Sequence, residues 1–301
     1  MLRSIIIIIT AVLSLEHAAA AQDIPADYQA VLTTLGRQGD FKDNVLKVNI
    51  PRSDLKVSVG GVATPTPFGF GGWVAFTKGD ARMDVAMGDL VLTEDEVNPV
   101  MSALLENGID VTALHNHFFH DSPRMFYMHV HAHGQAAEIA AKLKPALALI
   151  GKGASPAAAT AGQPIAGPLD TEALARIVGH AGEQNGAVYK ITIGRPDINL
   201  REMGAPITAR MGLNTWAAFY GNDANAVVAG DVAMLEREVV PVEKALRANG
   251  IEVVAIHHHM IGTQPAVTFL HYWGQGAAQK LATGVRAAVD QLGKAPSATS
   301  R

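Results

Sequence analysis

The chain has 301 residues, of which 49% are hydrophobic, with no cysteine and a formal net charge of −4. The lack of cysteine excludes disulfides, thiolate metal sites, cysteine nucleophiles and a lipid on an N-terminal cysteine. With 24 basic residues against 28 acidic ones and no basic block, the chain is not predicted to bind nucleic acid.

The amino terminus has the residue order of a secretory signal. Arg3 precedes an apolar run from Ile5 to Leu15, and small residues follow up to Ala21. This order predicts a cleaved signal peptide over residues 1–21. The run is too short to span a bilayer, and no later stretch approaches the roughly 20 apolar residues of a transmembrane helix. The sequence therefore predicts a soluble periplasmic or secreted protein, with an uncleaved anchor as the alternative.

The remainder of the chain consists of two similar halves. Trp73 and its neighbours reappear around Trp216, and Gly88-Asp89 reappears at residues 230–231. The segment between the halves is rich in alanine, glycine and proline, which is typical of a flexible linker. The predicted organisation is a first repeat over residues 22–150, a linker over 151–169, a second repeat over 170–295 and a tail over 296–301.

Within each half, stretches of alternating polarity surround helical patterns. Thr93 and Glu96 form a capping box, followed by apolar residues at helical spacing. The pattern predicts an α+β fold of two pseudo-symmetric repeats, each an antiparallel sheet with two or more helices. In the first half, the predicted order is strands at 45–50, 72–77 and 83–92, a helix from residue 93, strands at 109–115 and 125–130, and a helix from residue 135.

Ten of the 12 histidines lie in two windows, residues 115–133 and 257–271, which match at an offset of 142. Side chains alternate along a strand, so both members of a His-x-His pair share a face. A turn centred near residue 123 would set His117 opposite His129 and His115 opposite His131. Such a pair with a third histidine from the next strand is suited to a zinc site that is open to water. The predicted metal ligands are His115, His117, His129, His131, His133, His257, His259 and His271.

Two other interpretations of the histidines stay open, a metal-free polar pocket and structural hydrogen bonding. The second window has Trp273 and Gln275 where the first has His131 and His133, so its site is predicted to hold fewer ligands. Imidazole ligands favour a divalent transition metal, with zinc preferred and copper or nickel as alternatives.

Four carboxylates recur at matching positions. They are candidates to accept hydrogen bonds from the metal-binding histidines and so to orient the rings. For the two glutamates, helix capping is the alternative role. Arg52 and Asp54, with counterparts in the second half, predict a structural ion pair rather than an anion clamp. The carboxylates are Asp89, Asp231, Glu96 and Glu238.

Four segments carry a resemblance to a known family: Pro51 to Leu55, Gly88 to Met101, Val111 to His117 and Tyr127 to His131. In these segments the chain resembles the LppY/LpqO family of exported bacterial proteins, a domain of unknown function usually present in two copies. The resemblance implies export, and in some members a lipid anchor, but no reaction. This chain lacks the lipobox cysteine of the lipoprotein members, which argues against a membrane tether.

These observations predict an exported protein with a histidine-rich metal site and leave open whether it is an enzyme. A metal-dependent hydrolase would lower the pKa of a bound water to about 7 for attack on an ester, lactone or amide. The alternative is a non-catalytic module that binds a metal or a small ligand. No H-E-x-x-H, G-x-S-x-G or P-loop motif occurs. The expected partner is a metal ion or small molecule, and the oligomeric state stays undetermined.

Overall fold

The computed structural model describes residues 23–152 and 162–294. The predicted signal peptide, the tail and the central part of the predicted linker lie outside the described residues. Within them, each repeat forms a six-stranded antiparallel sheet with three α-helices. None of the described helices has the length and apolar character needed to cross a membrane.

The elements follow the same order in both repeats, except that the short strand Asp121–Ser122 of the first repeat has no counterpart among the described strands of the second. The first contains α1 (Ala26–Leu35), β1 (Gly39–Lys42), β2 (Val45–Pro51), β3 (Val57–Val59), β4 (Val62–Thr64), β5 (Gly71–Lys78), β6 (Asp84–Thr93), α2 (Glu94–Glu106), β7 (Asp110–His115), β8 (Asp121–Ser122), β9 (Met125–Gly134) and α3 (Ala136–Leu147). The second contains α4 (Thr171–Val178), β10 (Gly182–Asn185), β11 (Val188–Gly194), β12 (Arg201–Glu202), β13 (Ala205–Pro206), β14 (Asn214–Gly221), β15 (Ala226–Leu235), α5 (Glu236–Ala248), β16 (Glu252–His257), β17 (Val267–Gly276) and α6 (Ala278–Val289).

The two large sheets have matching strand orders, β1-β2-β5-β6-β9-β7 and β10-β11-β14-β15-β17-β16. The prediction of a mixed fold with antiparallel sheets is confirmed. The first helix of each repeat was not predicted. In the first repeat, α1 buries only Tyr28 and Val31 and shows little apolar periodicity, whereas α4 is clearly amphipathic and its pattern was missed. The short strands β3, β4 and β8, which form a separate sheet, were also missed.

The distribution of buried side chains shows that the two sheets and their helices are arranged in four layers. One apolar core per repeat lies between a sheet and its helices. Two further cores combine residues of both repeats, such as Phe68 with Trp273, and Met87 with Phe269. The inner faces of the two sheets therefore pack on each other, and helices cover the outer faces. The central strands β6 and β15 are buried on both faces along nearly their whole length, as this arrangement requires.

A buried arginine links the end of β2 to the start of α2 through hydrogen bonds and an ion pair. Arg52 is 2% exposed and donates to Glu96 at 2.6 Å, to the carbonyl of Val91 at 2.9 Å and to Asp54 at 2.8 Å. Glu96 also accepts the backbone N–H of Thr93 at 2.8 Å, as a helix cap does. The predicted ion pair is thus present, and it is held by a second carboxylate.

The second repeat contains the same arrangement. Arg195 donates to Glu238 at 2.9 Å and to Asp197 at 2.7 Å. Glu238 and Glu96 are both satisfied by an arginine and by backbone N–H groups at the start of a helix. These two candidate carboxylates therefore stabilise the fold and lie away from the histidines.

We expect Arg52→Met to lower the free energy of unfolding by ~3–5 kcal/mol, because it leaves the Glu96 carboxylate buried without a counter-charge. Urea unfolding followed by circular dichroism measures this. Adding Glu96→Gln should recover part of the loss, since the uncompensated charge is then removed. The matched control is Arg176→Met, whose partner Glu172 is exposed, and it should change little. Equal effects of both arginine substitutions would contradict the assignment.

Candidate metal centre

An aspartate and a histidine lie side by side on the inner face of each sheet. Asp89 on β6 pairs with His129 on β9, and Asp231 on β15 pairs with His271 on β17. Residues directly opposite each other in antiparallel strands point to the same face. Each sheet therefore presents a carboxylate and an imidazole toward the other sheet.

The His-x-His segments follow from strand alternation at the ends of β7 and β16. His115 is the last residue of β7, and His117 follows two positions later. The intervening Asn116 points away and donates to the carbonyl of Met125 at 3.0 Å. In the second repeat, His258 takes this place, with its Nδ1 3.0 Å from the carbonyl of the first residue of β17. The middle residue thus ties each loop to the next strand, while the outer histidines turn inward.

Six histidines from the two repeats meet between the sheets. The ring centroids lie 3.7 Å apart for His115 and His257, 3.6 Å for His117 and His271, and 3.8 Å for His129 and His259. Each of these contacts joins one repeat to the other. The sequence predicted one site in each half, but the packing of the inner faces merges both sets into one. We term these residues the histidine cluster: His115, His117, His129, His257, His259 and His271.

An aromatic ring closes the histidine cluster on either side. Tyr127 stacks on His117 and Phe269 stacks on His259, each with ring centroids 3.3 Å apart. The Tyr127 hydroxyl donates to the carbonyl of Gly69 at 3.0 Å, which holds its ring in place. The two rings restrict the cluster to a narrow space between apolar walls.

Burial holds the imidazoles of the cluster in the neutral form. Five of them are buried and His257 is partly buried. Burial lowers the pKa of His115 to about 4 and lowers the pKa of the other five well below their usual value. A neutral imidazole keeps a lone pair that can bind a metal.

All six Nε2 atoms of the cluster are buried without a hydrogen-bond partner among the residues described. An unsatisfied buried polar group costs about 1–3 kcal/mol. The Nδ1 of His271 lies 3.2 Å from the carbonyl of Gly230, which orients the ring with Nε2 inward, a common arrangement in metal-binding histidines. The cluster therefore has the donor atoms of a metal site.

Two overlapping triads have donor nitrogens within 4.8 Å of one another: His115, His117 and His271, and His115, His129 and His257. Zinc binds imidazole nitrogen at about 2.0–2.1 Å, so two ligands of one ion lie at most about 4.2 Å apart. Small ring movements are enough to reach that spacing. His115 belongs to both triads, and each triad takes a residue from the second repeat.

The two aspartates border the cluster. Asp89 lies 3.9 Å from Nε2 of His117, and Asp231 lies 3.7 Å from Nε2 of His259. Burial raises the pKa of Asp89 to about 8. Burial, together with the nearby charge of Asp89, raises the pKa of Asp231 well above its usual range. Of the four candidate carboxylates, these two are near the histidines.

His131 and His133 lie farther along β9. Each step of two residues moves a side chain about 7 Å along a strand. His131 lies opposite Met87, with its Nε2 3.9 Å from Glu202, and His133 is exposed. In the described part of the chain, no ring contact joins either residue to the cluster. The strand thus carries these two candidates away from the other six.

The pairing of β7 with β9 differs from the predicted register. His115 lies opposite Tyr127, and Ala113 lies opposite His129. The connection is not a tight hairpin, because β8 within it pairs with β3 instead. The pairing is displaced by four residues, an even number, so the histidines remain on the predicted face.

A cavity of about 640 Å³ adjoins the cluster. Its lining includes His117, His259 and His271, both aspartates, and two lysines, Lys47 and Lys190. The sequence interpretation missed the lysines as site residues. Their matching positions in the two repeats were the available signal, but on a strand a lysine is usually a solvated side chain.

We expect the metal-free protein to lose stability as the pH falls from about 6.5 toward 4. The unfolded chain takes up protons on its histidines near pH 6.5, whereas the folded chain keeps His115 neutral down to about pH 4. Each histidine that stays neutral destabilises the fold by up to about 2 kcal/mol at pH 5.

Urea midpoints of chelator-treated protein at pH 7.5 and pH 5 measure this effect. A variant with His115→Gln and His257→Gln should show a weaker dependence on pH, whereas His120→Gln, at an exposed position, should not. A midpoint at pH 5 equal to or above that at pH 7.5 would contradict the neutral cluster.

A family model described as Domain of Unknown Function (DUF1259) matches the chain twice, over residues 29–149 and 172–291. The search of curated proteins found no match.

Among solved structures, EtuB from Clostridium kluyveri is 9% identical, with a TM-score of 0.23 over 85% of this chain and 89% of that chain. The trimeric bacterial microcompartment shell protein PduB is 14% identical, with a TM-score of 0.19 over 83% of this chain and 90% of that chain. Similarities this low support no inference about assembly or activity.

Proposed function

The chain belongs to the family described as Domain of Unknown Function (DUF1259) through both of its repeats, and from that premise we propose that its histidine cluster is a transition-metal centre. The observation that carries the proposal is the set of six inward-facing Nε2 atoms without hydrogen-bond partners in the described part of the chain. Neutral imidazoles suit zinc, copper and nickel. Zinc is preferred, because the donor set is all nitrogen and zinc accepts three or four such ligands.

The metal centre is shared between the repeats and approximately two-fold symmetric. This is supported by the paired contacts, in which the stack of Tyr127, His117 and His271 corresponds to that of Phe269, His259 and His129. Because both triads combine residues of the two repeats, neither repeat alone would provide a complete site.

Hydrolysis is the activity that the surroundings of the cluster favour. The cavity gives a small molecule access to three of the histidines, and a bound metal would supply an activated water. Asp89 and Asp231 lie close enough to hold or move a proton through one intervening water. Metal or ligand carriage without turnover is the alternative function.

The location of the protein is a further part of the proposal. The predicted signal peptide supports export to the periplasm or beyond, and the resemblance to the LppY/LpqO family supports the same location. A centre with neutral nitrogen ligands and no thiolate would withstand an oxidising compartment, since imidazole is not oxidised as a thiolate is.

Protein purified without chelator should contain zinc, copper or nickel by elemental analysis. Added metal at a hundredfold excess over its Kd should stabilise the chelator-treated protein by about 2.7 kcal/mol. His115→Ala should abolish both effects, because His115 belongs to both triads. His120→Ala is the matched control, because His120 is exposed and outside the cluster.

If His115→Ala fails to fold, His117→Gln provides a milder variant, and circular dichroism checks its fold. The metal centre is refuted if the folded wild-type protein contains no metal and gains no stability from zinc, copper or nickel.

Hydrolysis and carriage are separated by turnover of the metal-loaded protein. We expect an ester, lactone or phosphoester from a panel to be hydrolysed, with loss of rate on chelation and recovery when zinc is returned. Replacing both Asp89 and Asp231 by asparagine should reduce the rate about a hundredfold or more while metal stays bound. Metal binding without turnover across the panel would identify the carrier.

A further inference from the structure

The cavity beside the histidine cluster contains two lysines that form no ion pair with a described carboxylate. Lys47 on β2 and Lys190 on β11 occupy matching positions in the two repeats, and both line the cavity. Neither makes a hydrogen bond or an ion pair with any residue that the structure describes. Partly buried ammonium groups usually have such a partner, since removing a charge from water is unfavourable.

Each lysine is positioned by a tryptophan of the same sheet. Lys47 Nζ lies 4.5 Å from the ring centroid of Trp73, and Lys190 Nζ lies 4.2 Å from that of Trp216. A cation is attracted to the face of an aromatic ring at this distance. The contacts limit the freedom of both side chains while leaving their N–H donors free for a ligand.

The cavity lining also contains acidic residues and a third cation. Asp89 and Asp231 lie on the side of the histidines, within 3.9 Å of His117 and His259. The remaining cation, Arg210, is paired with Asp40. Asp40 and Glu183 lie opposite Lys47 and Lys190 in the strand pairing and also line the cavity. No acid among the described residues forms an ion pair with either lysine, so both ammonium groups remain available to a ligand.

Placing these two ammonium groups in one cavity has an electrostatic cost. Burial lowers the pKa of both lysines to about 8, and the charge of Lys47 contributes to the lowering for Lys190. A negatively charged group near both would relieve this repulsion and replace the water that each ammonium has lost.

We propose that the cavity binds a small organic anion, whose carboxylate or phosphate group is held by Lys47 and Lys190 together. The amide of Asn49, which also lines the cavity, can donate a further hydrogen bond to it. A cavity of about 640 Å³ has the size of an ordinary small-molecule site. This anion adds a substrate class to the proposed function. The inference rests on that function only in one respect, the contact between the other end of the anion and a metal.

Calorimetric titration of chelator-treated protein at pH 7 tests the anion site without any metal. The probes are malonate for the carboxylate, inorganic phosphate for the phosphate, and malonamide as the uncharged match of malonate. We expect at least one anion to bind and malonamide not to bind. Lys47→Met and Lys190→Met should each weaken that binding about tenfold or more, because each removes a charge-assisted contact.

Two matched variants control for charge and for fold. Lys47→Arg keeps the positive charge and should retain binding better than Lys47→Met. Lys142→Met removes an exposed lysine on α3, away from the cavity, and should bind as the wild type does. Thermal unfolding without ligand verifies that each variant is folded.

The results decide between the two anion types and between the two proposals. Binding of malonate alone assigns a carboxylate, and binding of phosphate alone assigns a phosphate. The inference is overturned if neither anion binds folded wild-type protein, if malonamide binds as tightly as malonate, or if a folded Lys47→Met, Lys190→Met double variant binds like the wild type. Since no metal is present, failure of the metal centre would leave this result unchanged.

Discussion

Burial of the inner faces of two antiparallel sheets against each other is the constraint on which the rest of the structure depends. Apolar clusters from both repeats lie on either side of the histidines, with aromatic contacts such as that of Phe68 and Trp273 at 5.8 Å. These flanks supply the apolar burial that drives the sheets together. This packing holds the polar centre between them in place. Burying the six imidazoles without hydrogen-bond partners is unfavourable, and a bound ion would offset that desolvation cost.

The duplication explains why the site consists of two matching sets of side chains. Each repeat places an aspartate and a histidine side by side, a His-x-His segment at a strand end, and a lysine over a tryptophan. One copy alone would leave these polar groups on an exposed sheet face, in contact with water. Packing two copies together turns the same residues into a desolvated centre with a charged cavity beside it. The histidine cluster and the cavity thus form at the interface, although each repeat contains its own set of the same residue types.

Several parts of the centre could be predicted from the residues. The spacing of His115 and His117 placed both on one face, and their match to His257 and His259 identified four of the histidines that meet between the sheets. Other parts could not be predicted. His131 and His133 have the same alternation as His129, and only their distance along β9 from the sheet interface separates them from the cluster. The lysines carry no recognisable motif, and their importance follows only from the cavity that they share.

The sequence by itself determined the local structure, because that depends on neighbours in the chain: the alternation of the strands, the capping of α2 by Glu96, and the two-copy organisation that the family match supports. The tertiary structure decided which residues from distant parts of the chain meet. The displacement of β7 against β9, the merging of two histidine sets into one cluster and the pairing of Lys47 with Lys190 in one cavity all depend on how one sheet lies on the other. Periodicity defines the face to which a side chain points, but it contains no information about what packs against that face.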